Sequence, residues 1–248
     1  MSDVKGSTGN GNIVGLHEFS ENTALWKMLI GEFLGTLILV LIGCGSCISI
    51  TSHVQIALTF GLVLATLAQA IGHISGCHVN PAVTLSFFVT GEINLIRSTL
   101  FIIVQCIGAI AGAAILKSLL PNDMVQGNLG LTKVAPGISS VNGMFFELIL
   151  TFVFIFVIHA VCDGRRNDIK GSPALAIGLA LATVHLSGIH FTGSSVNPAR
   201  TLGPSVIMNF WTDQWVYWVG PIVGGVLAGL TYRFIFKVQK GENDSYDF

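Results

Sequence analysis

The sequence predicts an all-α integral membrane protein: six transmembrane helices plus two re-entrant half-helices, arranged as an inverted internal repeat. Three observations predict it. The 248 residues are 52% hydrophobic and only 10% charged, with a mean hydropathy of +0.74; a soluble domain carries roughly 25% charged residues. Six apolar runs approach the roughly 20 residues that a hydrocarbon core demands. The second half of the chain repeats the first in frame. The runs are continuous rather than alternating, which favours helices over a barrel.

The elements follow in order. Residues 1–24 are polar, rich in Gly, Ser and Asn, and lack a signal-peptide pattern, so they read as a flexible cytoplasmic tail. The first repeat, 25–119, holds spans at Leu25–Ile50, Val54–Ile74 and Leu95–Leu119, with a short apolar piece at Asn80–Val89. Residues 120–137 form an extracellular connecting loop. The second repeat, 138–237, makes one domain with the first. Its spans are Ile138–Cys162, Ser172–Ile189 and Trp215–Phe236, and its short piece is Asn197–Asn209. Residues 238–248 are a second cytoplasmic tail. Ten helical residues rise about 15 Å, half of a roughly 30 Å core, so each short piece dips in and returns.

With both termini in the cytoplasm, nine basic residues lie inside (Lys5, Lys27, Arg97, Arg165, Arg166, Lys170, Arg233, Lys237, Lys240). Two, Lys117 and Lys133, lie outside, which fits the positive-inside rule. Arg200 belongs to neither side. The Asn243 sequon is then cytoplasmic and carries no glycan. The five cysteines, Cys44, Cys47, Cys77, Cys106 and Cys162, lie in or beside apolar segments and read as core thiols, with no metal site. A net charge of −1 gives no sign of nucleic-acid binding.

The repeat is explicit. Residues 61–85, "GLVLATLAQAIGHISGCHVNPAVTL", match 178–202, "GLALATVHLSGIHFTGSSVNPARTL", at 13 of 25 positions. Glu32 and Thr36 correspond to Glu147 and Thr151, and "GAIAG" at 108–112 to "GPIVG" at 220–224. Each repeat has an odd number of spans, so the second is inverted. Inverted repeats with interrupted short helices place a substrate path at the midplane.

The phrase Asn-Pro-Ala occurs at Asn80-Pro81-Ala82 and Asn197-Pro198-Ala199. A half-helix that starts inside a membrane has orphan N–H groups. Asn caps them with its carbonyl oxygen, Pro fits the first helical position, and Ala permits close approach. If the oxygens cap, both N–H donors of each Asn stay free. Two opposed helix N-termini also make a positive midpoint that repels cations. The segments leading in, Gly76-Cys77-His78-Val79 and Gly193-Ser194-Ser195-Val196, are expected to be non-helical, with carbonyls lining a cavity. Glu32 and Glu147 are expected to brace this irregular backbone. The GxxxG pairs Gly31/Gly35, Gly108/Gly112, Gly220/Gly224 and Gly225/Gly229 allow close helix crossings.

These motifs carry a resemblance. From about Trp26 to Lys237 the chain resembles the aquaporins (major intrinsic proteins), in the "SGCHVNPAVT" and "NPAR" contexts and the repeated ExxxT. Its wording is similar to the water-selective branch and to insect members. By position, the resemblance implies a selectivity filter of Phe60, His185, Ser194 and Arg200. His185 stands where glycerol-conducting relatives typically have glycine, and Thr201 where they have aspartate. The resemblance thus implies single-file water permeation with protons, ions and most glycerol excluded. It also implies a homotetramer in the plasma membrane, with no cofactor. His185 and Arg200 would donate hydrogen bonds to water. His73 and His190, at equivalent repeat positions near the two mouths, and His78, at the inner vestibule, are candidates for pH tuning, beside a structural role. The alternative of the same fold is a broader facilitator of urea, hydrogen peroxide or glycerol. A junctional membrane protein and an intramembrane enzyme are further classes; the sequence displays no Ser/His/Asp set or HExxH for the latter.

Overall fold

The computed structural model describes residues 11–16, 18, 24–48, 52–125, 128–166 and 171–237. The C-terminal tail with Asn243 and most of the N-terminal tail lie outside the described residues. Among the described residues there is no strand, and eight helices of nine or more residues make the frame. They are α1 (Leu25–Gly45), α2 (His53–Ser75), α3 (Pro81–Val89), α4 (Leu95–Leu119), α5 (Ser140–Cys162), α6 (Pro173–Thr192), α7 (Pro198–Met208) and α8 (Val216–Thr231). A π-helical turn, Tyr232–Phe236, extends α8. All but α3 and α7 are long and apolar enough to cross a membrane, α8 with its extension.

Local chemistry sets most starts. Ser52, Asn94, Ser139 and Ser172 cap α2, α4, α5 and α6 by accepting from the N–H three residues on. Three bounds differ from the sequence reading by two residues or more. Helix α1 ends at Gly45 rather than Ile50, because Ser46 and Cys47 turn back onto the Ile42 and Cys44 carbonyls. Helix α5 starts at Ser140, where Ser139 caps it, rather than at Ile138. Helix α6 runs on to Thr192 and stops at Gly193, whose φ of +83° is the left-handed geometry that glycine takes freely.

The N-terminal tail also differs in part from its reading as free chain. Glu18 is buried, and its Oε1 accepts from Arg97 Nη2 and Asn94 Nδ2, both at 2.6 Å. Position 18 is thereby tied to the start of α4.

Packing repeats across the two halves. Helix α1 packs on α4 as α5 packs on α8, α1 on α2 as α5 on α6, and α4 on α7 as α8 on α3. Helices α2 and α6 pair across the centre. Small residues make the crossings: a Cβ on Gly61 would meet the Gly178 carbonyl oxygen at 2.6 Å. Gly108 and Gly112 lie against the Phe33 and Leu37 carbonyls, and Gly220 and Gly224 against those of Met144 and Leu148. The GxxxG pairs therefore pack within one chain. Apolar residues at helical spacing, such as Ile30, Leu34, Ile38 and Ile42 on α1, stay exposed, as a lipid-facing stripe would.

Candidate functional site: a central constriction

The site begins where the two half-helices begin. Asn80 Oδ1 accepts from Ala82 N at 2.8 Å, and Asn197 Oδ1 from Ala199 N at 3.0 Å and Arg200 N at 3.2 Å. Each Asn then reaches across the repeat. Asn80 Nδ2 donates to the Val196 carbonyl at 2.8 Å, and Asn197 Nδ2 to that of Val79 at 2.9 Å. This corrects the expectation that both donors of each Asn stay free. One N–H knits the two lead-in segments together, and one remains.

Those segments are non-helical and bent. Besides Gly76 and Gly193, four non-glycine residues have positive φ: Cys77 (52°), Val79 (44°), Ser194 (48°) and Val196 (47°). Such conformations cost on the order of 1–3 kcal/mol each and persist only when the surroundings over-determine them. Two carboxylates do so. Glu32 accepts from Ser75 Oγ (2.6 Å), His78 N (2.9 Å), Val79 N (2.6 Å) and Gln105 Nε2 (2.7 Å). Glu147 accepts from Thr192 Oγ1 (2.6 Å), Ser195 N (2.9 Å) and Val196 N (2.8 Å). A hydrogen bond to a charged group contributes roughly 1.5–3 kcal/mol, enough to offset the bent backbone.

Sequence reasoning missed the partners of these braces. Gln105 also donates to Thr84 Oγ1 at 2.9 Å. Its repeat counterpart is Tyr217, whose hydroxyl donates to the Thr192 carbonyl at 2.8 Å. Thr84 meets His78 Nδ1 at 3.1 Å, and the counterpart Thr201 meets Ser195 Oγ at 2.6 Å. The signal was available: polar residues at matching repeat positions inside apolar spans.

A narrow cavity lies at this junction. Its walls include Phe60, His185 and Arg200, both motif asparagines, and His78, Val79, Ser195 and Val196 of the lead-in segments. Leu39, Leu64, Phe154 and Leu181 add an apolar side. Gly76, Cys77, Gly193 and Ser194 are not among its lining residues. Ser194 is fully buried, and its hydroxyl donates to the Val184 carbonyl at 3.0 Å, so its side chain is committed to α6.

Three side chains narrow one end. The Phe60 and His185 rings stack with centroids 4.7 Å apart. The Arg200 guanidinium carbon lies 5.0 Å from the Phe60 ring centre, and its Nη1 donates to the Gly130 carbonyl. His185 Nδ1 lies 3.1 Å from the Leu181 carbonyl oxygen. Facing an acceptor, that nitrogen carries the proton, so in a neutral ring Nε2 is an acceptor. This corrects the expectation that His185 donates to water. His185 and Arg200 both line the cavity, and His185 Nε2 and Arg200 Nε are buried with no protein partner, one an acceptor and one a donor.

The remaining histidines sort by place. His73 is exposed near the end of α2. His190 is exposed near the end of α6, with its Nε2 3.0 Å from Nδ1 of His53, a neighbour the sequence did not suggest. His159 Nε2 lies 2.8 Å from Ser86 Oγ, with Glu92 Oε1 3.9 Å from its Nδ1. This Ser-His-Glu chain escaped the sequence reading because its members come from three elements. Ser86 is fully buried and is not among the cavity's lining residues, so the chain braces α3 against α5 rather than presenting a nucleophile. Among the described residues no group of three metal-ligating side chains converges.

Comparison with known proteins follows the same lines. The family model described as "Major intrinsic protein" matches residues 19–232. The chain is 48% identical to Aquaporin-4 of Mus musculus over 221 residues, covering 86% of this chain and 68% of that protein. It is 45% identical to the lens fiber major intrinsic protein of Canis lupus familiaris over 218 residues, covering 86% and 82%. Among solved structures it is similar to the aquaglyceroporin from Plasmodium falciparum. There the TM-score is 0.76 at 25% identity, covering 85% of this chain and 96% of that one.

Proposed function

We propose that this chain, which belongs to the major intrinsic protein (aquaporin) family, is a passive water channel that admits water in single file and excludes protons, ions and most glycerol. The observation that carries the reading is the constriction of Phe60, His185 and Arg200. Two stacked rings leave little width, and a guanidinium beside them sets a positive barrier. Within it, His185 Nε2 accepts and Arg200 Nε donates, replacing part of a water molecule's hydration as it passes. Ser194 stands behind the cavity wall, its hydroxyl held on the Val184 carbonyl of α6. At the asparagine junction, the remaining N–H of each of Asn80 and Asn197 and two helix N-termini orient water and oppose cations. The chain binds no cofactor, performs no enzymatic step, and sits in the plasma membrane as a homotetramer with both termini cytoplasmic.

A second reading, a broader facilitator of small neutral solutes, draws on the likeness to an aquaglyceroporin. Stopped-flow light scattering on proteoliposomes separates the two. The water-selective reading expects fast osmotic water flux with glycerol flux near that of empty vesicles. Rapid glycerol-driven swelling would favour the broader facilitator.

A further inference from the structure

The ends of α2 and α6 bring together two imidazoles 137 residues apart in sequence. His53 opens α2 and His190 lies in the last turn of α6, two helices that pack along their length. Both side chains are exposed. His53 Nδ1 and His190 Nε2 are 3.0 Å apart, and the rings stand edge to face at 86° with centroids 4.0 Å apart. They lie at the end of the molecule that carries Arg200, since the 128–137 segment meets both: Gly130 O accepts from Arg200, and Ala135 N donates to Phe191 O at 2.9 Å.

We propose that His53 and His190 form a two-histidine site for a nitrogen-seeking divalent transition-metal ion such as Zn²⁺ or Ni²⁺. The warrant is geometric. With metal–nitrogen bonds of about 2.0–2.1 Å, two ligands separated by about 90° have nitrogens roughly 2.9 Å apart, rising to roughly 3.3 Å at the tetrahedral angle. The 3.0 Å between these nitrogens falls in that interval. Without metal, one ring donates its N–H to the other and the pair stays closed. With metal, the shared proton leaves to solvent and both lone pairs turn to the ion. Imidazole suits Zn²⁺, Cu²⁺ and Ni²⁺, whereas Mg²⁺ and Ca²⁺ prefer oxygen. Among the described residues no third metal-ligating side chain converges, so water completes the coordination and the ion exchanges freely. Because the pair lies apart from the constriction, the site does not depend on what the chain transports.

Thermal unfolding of the purified full chain, read with and without ZnCl2, NiCl2 or MgCl2, tests this. Wild type should gain Tm with the first two and not the third, increasingly with concentration. Loss of either ligand should weaken binding at least about tenfold, so His53→Ala and His190→Ala should each lose most of the gain. The five cysteines are common to all chains and cancel in the difference. An equal gain in the variants, or none in wild type, overturns the proposal. Should an alanine chain fail to fold, His53→Gln or His190→Gln removes the nitrogen pair while keeping a polar side chain.

Discussion

His185 shows how much one residue's geometry decides. Its Nδ1 is held on the Leu181 carbonyl, one helical turn back, which leaves Nε2 as the nitrogen without a protein partner. Removing the ring should widen the constriction without touching either brace. We expect His185→Ala to raise glycerol flux by roughly tenfold or more, the scale on which pocket size discriminates, with water flux retained. Arg200→Ala should relax charge exclusion, seen as ion conductance in planar bilayers that wild type lacks. Unchanged selectivity in both variants would remove these residues from the filter. Both were placed by the family resemblance, position by position; the repeat aligns them with Ala68 and Val83, so the halves agree in frame but differ there. The Arg200 anchor was not legible. Gly130 lies 70 residues away in a connecting loop that carries no repeat signal.

At the scale of elements, the half-helices were readable from two phrases of three residues, because capping is local chemistry. Their mutual attachment was not. The exchange of Asn80 and Asn197 N–H bonds between repeats needs both segments in place before either bond exists. The α2–α6 crossing behaves similarly. Gly61 and Gly178 each face the other's carbonyl, so a side chain at either must push two backbones apart. Gly178→Leu should destabilise by about 1–3 kcal/mol or more. The measurement is a lowered Tm in detergent. Gly72→Leu, at a position with nothing within 4 Å, should leave Tm close to wild type. Equal losses in the two would show that the crossing is not tight.

For the whole molecule, the proposed orientation and assembly can each be checked. An epitope at the N-terminus should be reached by antibody only after cells are permeabilised. Labelling of intact cells would invert the topology. In detergent, light scattering should report a particle of four 26.3 kDa chains. A monomer mass would remove the tetramer.

The sequence by itself determined the class, the spans and the inverted repeat, because hydropathy and duplication are written along the chain. It also marked where each half-helix starts, since a cap reads only its next few residues. The tertiary structure alone decided which groups meet across the fold. It showed Gln105 and Tyr217 as matching braces, the His185 nitrogen held on Leu181, the commitment of Ser194 to α6, and His53 beside His190. These contacts depend on how six spans pack side by side. A linear pattern fixes which face of a helix is apolar, but not which atom from the opposite repeat arrives against it.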